Sequence, residues 1–354
     1  MVAMSGGVDS AVAAALLKEK EYEVVGVTLQ IWPRDAPLPP GETGCCSLAA
    51  VEDARHVAQK LGIPHYVLNF RDLFEREVIN YFVGEYLAGR TPNPCVVCNR
   101  KVKFKALLER ALALGMAYVA TGHYARRDYD GRRGRHLLRR ARDLRKDQTY
   151  VLYGLTQEQL ARALFPLGEY TKEEVRRKAK TLGLRVAAKP ESQEICFVTM
   201  GDYRAFIGAR APEALRPGPI LDYRGRVVGQ HQGLANYTIG QRRGLGVALG
   251  YPAYVIALDR ERNAVVIGPA KFAYRRHLTA RDNNFIAWAA PPPSCEVEAK
   301  VRYLSPAASA ALRYQEGLVQ LEFATPQWAI TPGQAVVYYQ GDLVVGGGTI
   351  EEAW

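Results

Sequence analysis

Met1-Val2-Ala3-Met4-Ser5-Gly6-Gly7-Val8-Asp9-Ser10 decides the fold class of this chain. The first four residues read as a short apolar strand, the next six as a loop, and Ala11 to Leu17 as an Ala/Leu-rich helix. Two consecutive glycines let the backbone come close to a ligand without Cβ interference. The loop also opens a helix whose first N–H groups are unpaired and carry a partial positive charge. Such a loop suits a pyrophosphate group. A bare Gly-Gly would be an ordinary turn with a Ser or Asp cap; the string SGGVDS is more specific. It is not a Walker loop, because no Gly-Lys-Ser/Thr follows. Three residues before Met4 make the strand short, which points to a trimmed start without touching the loop.

Beyond this unit the first half alternates strands and helices. Glu23 to Trp32 is β-branched and almost uncharged, Leu48 to Leu61 has helical spacing and stops at Gly62, and His65 to Phe70 is again strand-like. Tyr118 to Thr121 makes a further short strand that runs into Gly122-His123. The pattern predicts a doubly wound parallel sheet, with ligands beyond the carboxyl ends of the strands, so SGGVDS and Gly122-His123 should line one crevice. Thr171 to Gly183 forms an amphipathic helix. After about Gln193 the character changes, and from Pro217 onward short alternating strands and Gly/Pro turns give an all-β signature, with Ala290 to Ser294 (APPPS) a stiff connector or edge. The expected division is an α/β domain over 1–193, a small central domain over 194–275 and a C-terminal β-barrel over 276–354.

The chain has 354 residues, 48% apolar, with a formal net charge of +11 and six cysteines. That length is enough for two or three domains with their own cores. No basic region followed by a secretory apolar run occurs, nor about eighteen apolar residues in succession, so a cytoplasmic protein with no membrane partner is expected. Six cysteines are too few for a disulfide scaffold and should be reduced thiols. Between Arg126 and Asp147 lie ten Arg or Lys against four Asp, more than half of the excess charge. A solvated charged hairpin is one reading of that stretch; a nucleic-acid-binding arm is the favoured one.

A second decisive stretch is Thr91-Pro92-Asn93-Pro94-Cys95-Val96-Val97-Cys98-Asn99-Arg100-Lys101-Val102-Lys103-Phe104. Asn93 suits an N-cap and Pro94 the first helical position, so a helix is predicted to about Ala113, before Gly115. Cys95 and Cys98 then share one face of its first turn. The helix N-terminus and Arg100, Lys101 and Lys103 should acidify a thiol there. Cys196 has no such argument of its own and reads alone as a buried structural cysteine; Cys45, Cys46 and Cys295 are read as structural too.

SGGVDS, RTPNPxxxCNxxxKF, ATGHYAR, KDQTYVLYGL, KPESQEICF, YTIGQRRGLG and VRYLSP occur in that order along nearly the whole chain. Together they resemble the bacterial tRNA-specific 2-thiouridylase family (MnmA), a branch of the PP-loop ATP pyrophosphatases. The resemblance implies an enzyme that replaces the C2 oxygen of uridine 34, the wobble base of lysine, glutamate and glutamine tRNAs, with sulfur. ATP would adenylate the base oxygen and sulfur would displace AMP. By the same resemblance Ala3, Met4, Ser5, Gly6, Gly7, Val8, Asp9, Ser10, Leu29 and Gly122 bind ATP, with Asp9 a partner for Mg²⁺. Cys98 would be the nucleophile and Cys196 the persulfide carrier, able to form a transient disulfide with it. Asn93, Pro94 and Cys95 would face the flipped-out base, and His123, Lys146, Asp147, Gln148, Arg302, Tyr303 and Gln334 would contact tRNA. A cysteine desulfurase relay or other sulfur donor protein is the implied partner.

Many family members carry Asp where this chain has Cys95. The change creates a Cys-x-x-Cys pair and, with Cys196, a three-thiolate set that could hold a 4Fe–4S cluster. Cluster and persulfide chemistry both stay open at this point. A small-molecule synthetase would leave the basic stretch and the ordered cysteines without a role, and a non-enzymatic RNA-binding module would leave SGGVDS idle.

Overall fold

The computed structural model describes residues 1–32, 48–190, 195–198 and 202–354. Its first unit comprises Met1–Val78, Cys95–Gly201 and Asp342–Val345. The strands there are β1 (Val2–Ala3), β2 (Gly26–Gln30), β3 (His65–Asn69), β4 (Val119–Ala120), β5 (Arg126–Asp130), β6 (Arg135–Arg139) and β7 (Ala163–Leu164). Five of them make one sheet in the order β3-β2-β1-β4-β7, every pairing parallel, with Val2 opposite both Gly26 and Ala120. The chain winds outward from β1 to β3 and then restarts on the other side at β4, as a doubly wound sheet does. Pairing on β2 begins at Gly26, opposite Val2 of β1 and His65 of β3.

Helix α1 (Val8–Glu19) starts three residues before the expected Ala11: Gly7 is its extended N-cap, and Val8, Asp9 and Ser10 already form its first turn. All but four of its residues are Ala, Val or Leu and most of the helix is buried, Val12, Ala13 and Ala14 at 0% exposure. It packs in one core with Val57, Tyr124, Val175, Ala179 and Leu184. Helix α2 (Leu48–Leu61) ends where expected, at Gly62 with φ +61°. The amphipathic helix is found at Lys172–Thr181, closed at its start by a Thr171/Glu174 capping box.

The second unit comprises Ile79–Pro94, Asp202–Gly341 and Gly346–Trp354. Strands β8 (Gly218–Asp222), β9 (Val227–His231), β10 (Tyr254–Asp259) and β11 (Ala264–Gly268) form a four-stranded sheet in the order β10-β11-β8-β9. Strands β12 (Tyr274–Phe285), β13 (Ser294–Lys300), β14 (Ala308–Gln315), β15 (Leu318–Trp328), β16 (Ala335–Gln340) and β17 (Leu343–Ala353) run β12-β15-β14-β13-β16-β17, and β12 pairs with β17 to close a six-stranded barrel. Closure leaves no unpaired edge. APPPS is the link between β12 and β13.

The basic stretch Arg126–Asp147 begins as an antiparallel hairpin of β5 and β6, Arg126 opposite Arg139, and Leu343 and Val344 extend its sheet from β6. It is therefore an integral sheet element rather than a free arm. Among the described residues no helix is long and apolar enough to cross a membrane. Cys45, Cys46, Glu191–Glu194 and the expected boundary at 193/194 lie outside the described residues.

Candidate active site

The loop after β1 is pressed from two sides. Gly6 has φ +68°, and a Cβ there would sit 2.4 Å from the Ala50 carbonyl oxygen of α2; no other residue type fits without moving α2. A Cβ on Gly122, just beyond β4, would lie 2.7 Å from Asp9 C and Ser10 N. The ends of β1 and β4 thus meet across the switch point of the sheet, and SGGVDS and Gly122-His123 do share one crevice. Ser10 Oγ accepts from Ser5 N at 3.1 Å and donates to Gly7 O at 3.1 Å, bracing the loop at the start of α1.

Charge around the loop comes from residues the sequence did not single out. Lys172 Nζ donates to Asp9 Oδ1 and Oδ2 at 2.7 and 2.8 Å, and Tyr124 Oη donates to Asp9 Oδ1 at 2.9 Å. Lys172 is only 7% exposed. Lys189 Nζ reaches Asp53 Oδ2 at 2.7 Å and Gly6 O at 3.3 Å. Two ammonium groups therefore flank the SGGVDS loop. The one signal for Lys172 was the Thr171-x-x-Glu174 box, which sets it in the first turn of its helix; nothing local marked Lys189. The Asp9 carboxylate keeps 31% of its surface exposed, and Mg²⁺ bound together with phosphates needs only one or two carboxylates, so Asp9 fits that ion.

The predicted helix from Pro94 to Ala113 is present, but its middle is wide: Pro94–Val97 and Leu107–Ala113 are α-helical, whereas Cys98–Ala106 is a π-helix. A π turn costs backbone hydrogen-bond geometry and recurs at functional sites. Here buried Asn99 donates to Val151 O at 3.0 Å, and Arg100 O accepts from Gln159 Nε2 at 3.2 Å. These tertiary bonds, with the buried Val102 and Phe104, hold the widened turn and Cys98 at its start. Cys95 is exposed, while Cys98 and Cys196 are half-buried; Cys196 is followed by Phe197, whose ring meets Phe74 edge-on at 5.6 Å. Among the described residues no three His, Cys, Asp or Glu are gathered so as to hold a metal ion. Cys95, Cys98 and Cys196 as they stand do not fit a three-thiolate cluster. Burial and then Glu296 raise the Cys295 thiol pKa, which suits a structural role.

His123 is buried, its Nδ1 lies 2.7 Å from Thr121 Oγ1, and burial and then Lys103 hold its pKa well below 6.5. It is a neutral imidazole between Phe104 and Phe165. Lys146 is half-buried. Asp147 accepts from Ala141 N and Thr149 Oγ1 and so braces the segment locally, while Gln148 Oε1 accepts from Tyr124 N and ties it to the strand end that carries His123. Leu29 is half-buried on β2.

In the second unit, Arg302 Nη2 lies 2.8–2.9 Å from Ile239 O, Ala329 O and Thr331 Oγ1, which leaves Tyr303, 38% exposed, to face outward. Gln334 Nε2 donates to Thr91 O and Pro92 O at 3.0 Å and so sets the backbone that leads into Asn93 and Pro94.

Three families match the chain in succession: the tRNA methyl transferase HUP domain over residues 1–200, the tRNA methyl transferase PRC-barrel domain over 204–269 and the aminomethyltransferase β-barrel domain over 275–350. The tRNA-specific 2-thiouridylase MnmA of Moorella thermoacetica is 66% identical over 352 residues, 99% of each chain. The chain belongs to the tRNA-specific 2-thiouridylase family. The MnmA proteins of Heliobacterium modesticaldum and Carboxydothermus hydrogenoformans are 62% and 57% identical over 99% of this chain and 91% and 97% of theirs. The family's three matched segments follow the parallel sheet, the four-stranded sheet and the closed barrel in order.

Proposed function

We propose that this chain catalyses ATP-dependent 2-thiolation of uridine 34 in lysine, glutamate and glutamine tRNAs, as a tRNA-uridine 2-sulfurtransferase of the cytoplasm. The observation that carries the reading is the crevice at the β1/β4 switch point, where a braced Gly-Gly loop, an open helix N-terminus and Lys172 converge beside Asp9, in a chain of this family. Ala3 to Ser10 hold the phosphates, and Leu29 and Gly122 border the adenosine. Mg²⁺, held by Asp9, would offset phosphate charge.

The amide-type C2 oxygen is a poor leaving group. In our reading it attacks the α-phosphorus of ATP, pyrophosphate departs, and the C2–O bond now carries AMP. The terminal sulfur of a persulfide on Cys196 attacks C2 and AMP leaves. Cys98 thiolate then attacks the Sγ of Cys196, the S–S bond to the transferred sulfur breaks, and its electron pair stays on the sulfur of 2-thiouridine. A Cys98–Cys196 disulfide remains, which an external thiol reduces before a donor protein reloads Cys196. Asn93, Pro94 and Cys95 face the base, while His123, the Lys146–Gln148 segment, Arg302, Tyr303 and Gln334 shape the tRNA surface. That no three of the described His, Cys, Asp or Glu residues are gathered to hold a metal ion favours persulfide over cluster.

Single-turnover reaction of the full chain with a uridine-34 transcript tests this. One AMP and one pyrophosphate per 2-thiouridine are expected, from protein loaded with persulfide on Cys196 and free of iron. AMP release that does not depend on tRNA would sink the assignment, and activity that requires iron and is lost in Cys95→Ala would replace the persulfide step.

A further inference from the structure

We propose that the glycine-rich loop over residues 240–250 is an RNA phosphate-binding surface, with Arg242 and Arg243 as its cations. This rests on the tRNA reading above and deepens it. The first ground is where unspent positive charge lies. In the hairpin and the residues after it, Arg126 and Arg139 share Asp342, Arg133 faces Asp130, Arg142 faces Glu174, and Arg145 faces Glu173 and Asp143. Arg127 donates to the Leu160 and Ala161 carbonyls. A phosphate that recruited these arginines would have to displace partners already in place. Arg242 and Arg243 are exposed, and among the described residues neither makes an ion pair. Between Asp222 and Asp259 the chain contains four arginines and no acidic residue at all. An uncompensated arginine pair in such a field is a counter-ion site for phosphate.

The second ground is shape. Gly240, Gly244, Gly246 and Gly250 all have φ between +68° and +88°, a backbone that bends sharply and offers its amides without Cβ shielding. The bend encloses an open cavity of about 630 Å³ lined by residues 242, 244–251 and 253. Arg204 borders it, its guanidinium nitrogens 3.8 Å from where a Gly244 Cβ would stand, and Tyr251, 38% exposed, supplies an aromatic face of the kind on which nucleobases stack.

The third ground is rigidity. Gln241 bridges the base of the loop, accepting from Thr238 N at 3.1 Å and donating to Arg243 O at 3.0 Å. Gly240 N and Val255 N add bonds to Val255 O and Gln241 O. Leu245, 6% exposed, pins the loop into a core with Ile220, Val255 and Ile267. The two arginines are thus presented outward on a fixed support, with little ordering left to cost affinity.

The test is a salt titration of tRNA affinity with the full-length protein and a uridine-34 transcript. Arg242→Gln/Arg243→Gln should bind about tenfold more weakly at low salt, with a log–log salt slope shallower by about two. Its ATP affinity and unfolding midpoint should be unchanged, and the Lys/Lys version should keep most of the slope. Arg142→Gln/Arg145→Gln, which removes paired arginines, should leave the slope nearly unaltered. A wild-type slope in the 242/243 Gln variant overturns the inference while the thiolation reading stands. Failure of the wild-type protein to bind tRNA overturns that reading, and the inference with it.

Discussion

Lys172 shows how a buried residue beside a candidate site can leave only a faint mark in the sequence. Its ammonium meets both oxygens of Asp9 at 2.7 and 2.8 Å, across 163 positions of chain. Breaking a buried pair by removing one partner costs about 3–5 kcal/mol; since Asp9 is 31% exposed, Lys172→Met should cost about 2–3 kcal/mol in denaturant unfolding. If the ammonium also serves the phosphates, Lys172→Met should raise the KM for ATP and Lys172→Arg should restore it, whereas a purely structural role predicts a fall in stability with the KM unchanged. Cys98→Ala should abolish thiolation and leave tRNA affinity nearly intact, because it removes a nucleophile and no phosphate contact; retained activity would disprove the role. His123 makes a pH prediction. Its folded pKa lies well below 6.5, so the unfolded chain binds the extra proton, and the stability it provides is present above pH 6.5 and lost as pH falls below it. The loss is about 1.4 kcal/mol per pH unit. His65, His136 and His231 are lowered as well, each chiefly by burial, and add to the slope. His123→Gln should flatten the stability–pH curve below pH 6.5 by about one proton.

At the scale of elements, the helix that carries Cys95 and Cys98 was legible at both ends, since Pro94 and Gly115 are punctuation that backbone sterics impose. Its π-helical middle was not. The choice between i−4 and i−5 bonding is made by partners from distant segments: Val151 O, which takes the Asn99 amide, and Gln159, which bonds Arg100 O. Asn99→Ala should therefore leave Val151 O unsatisfied, cost about 1–2 kcal/mol, and lower the thiolation rate more than tRNA affinity as Cys98 shifts with the relaxing turn. Stopped-turnover assays beside binding isotherms would separate the two. Likewise Gly6→Ala puts a methyl 2.4 Å from Ala50 O at φ +68°, and should weaken ATP binding by at least tenfold while tRNA binding persists. The hairpin of β5 and β6 was legible as charged residues around a Gly131/Gly134 turn, but sequence shows charges without their neighbours, so the partners of its arginines were not. Asp342, more than 200 residues away, neutralises two of them.

For the whole molecule, the chain crosses repeatedly between its two units. Ile79–Pro94 packs with the second, and Asp342–Val345 returns to the first, where Leu343 and Val344 pair with β6. Residues 1–200 expressed alone would lack that strand and Asp342, and would leave the β6 edge and two arginines uncovered. The expected outcome is a fragment that binds an apolar dye and is cut by protease within the hairpin, whereas the intact chain resists both. The order of elements, the doubly wound sheet, the all-β second half, the glycine loop after β1 and the ordered cysteines were determined by the sequence itself, because hydrophobic periodicity, glycine conformation and motif spacing act over a few residues. Tertiary structure alone decided that Lys172 and Tyr124 hold Asp9, that Cys98 opens a π turn, that Arg126, Arg133 and Arg139 of the hairpin meet carboxylates, and that Arg242 and Arg243 do not. Those outcomes depend on which charges and carbonyls meet across the fold, where electrostatic and hydrogen-bond energies fall off within a few ångströms and distance along the chain carries no information.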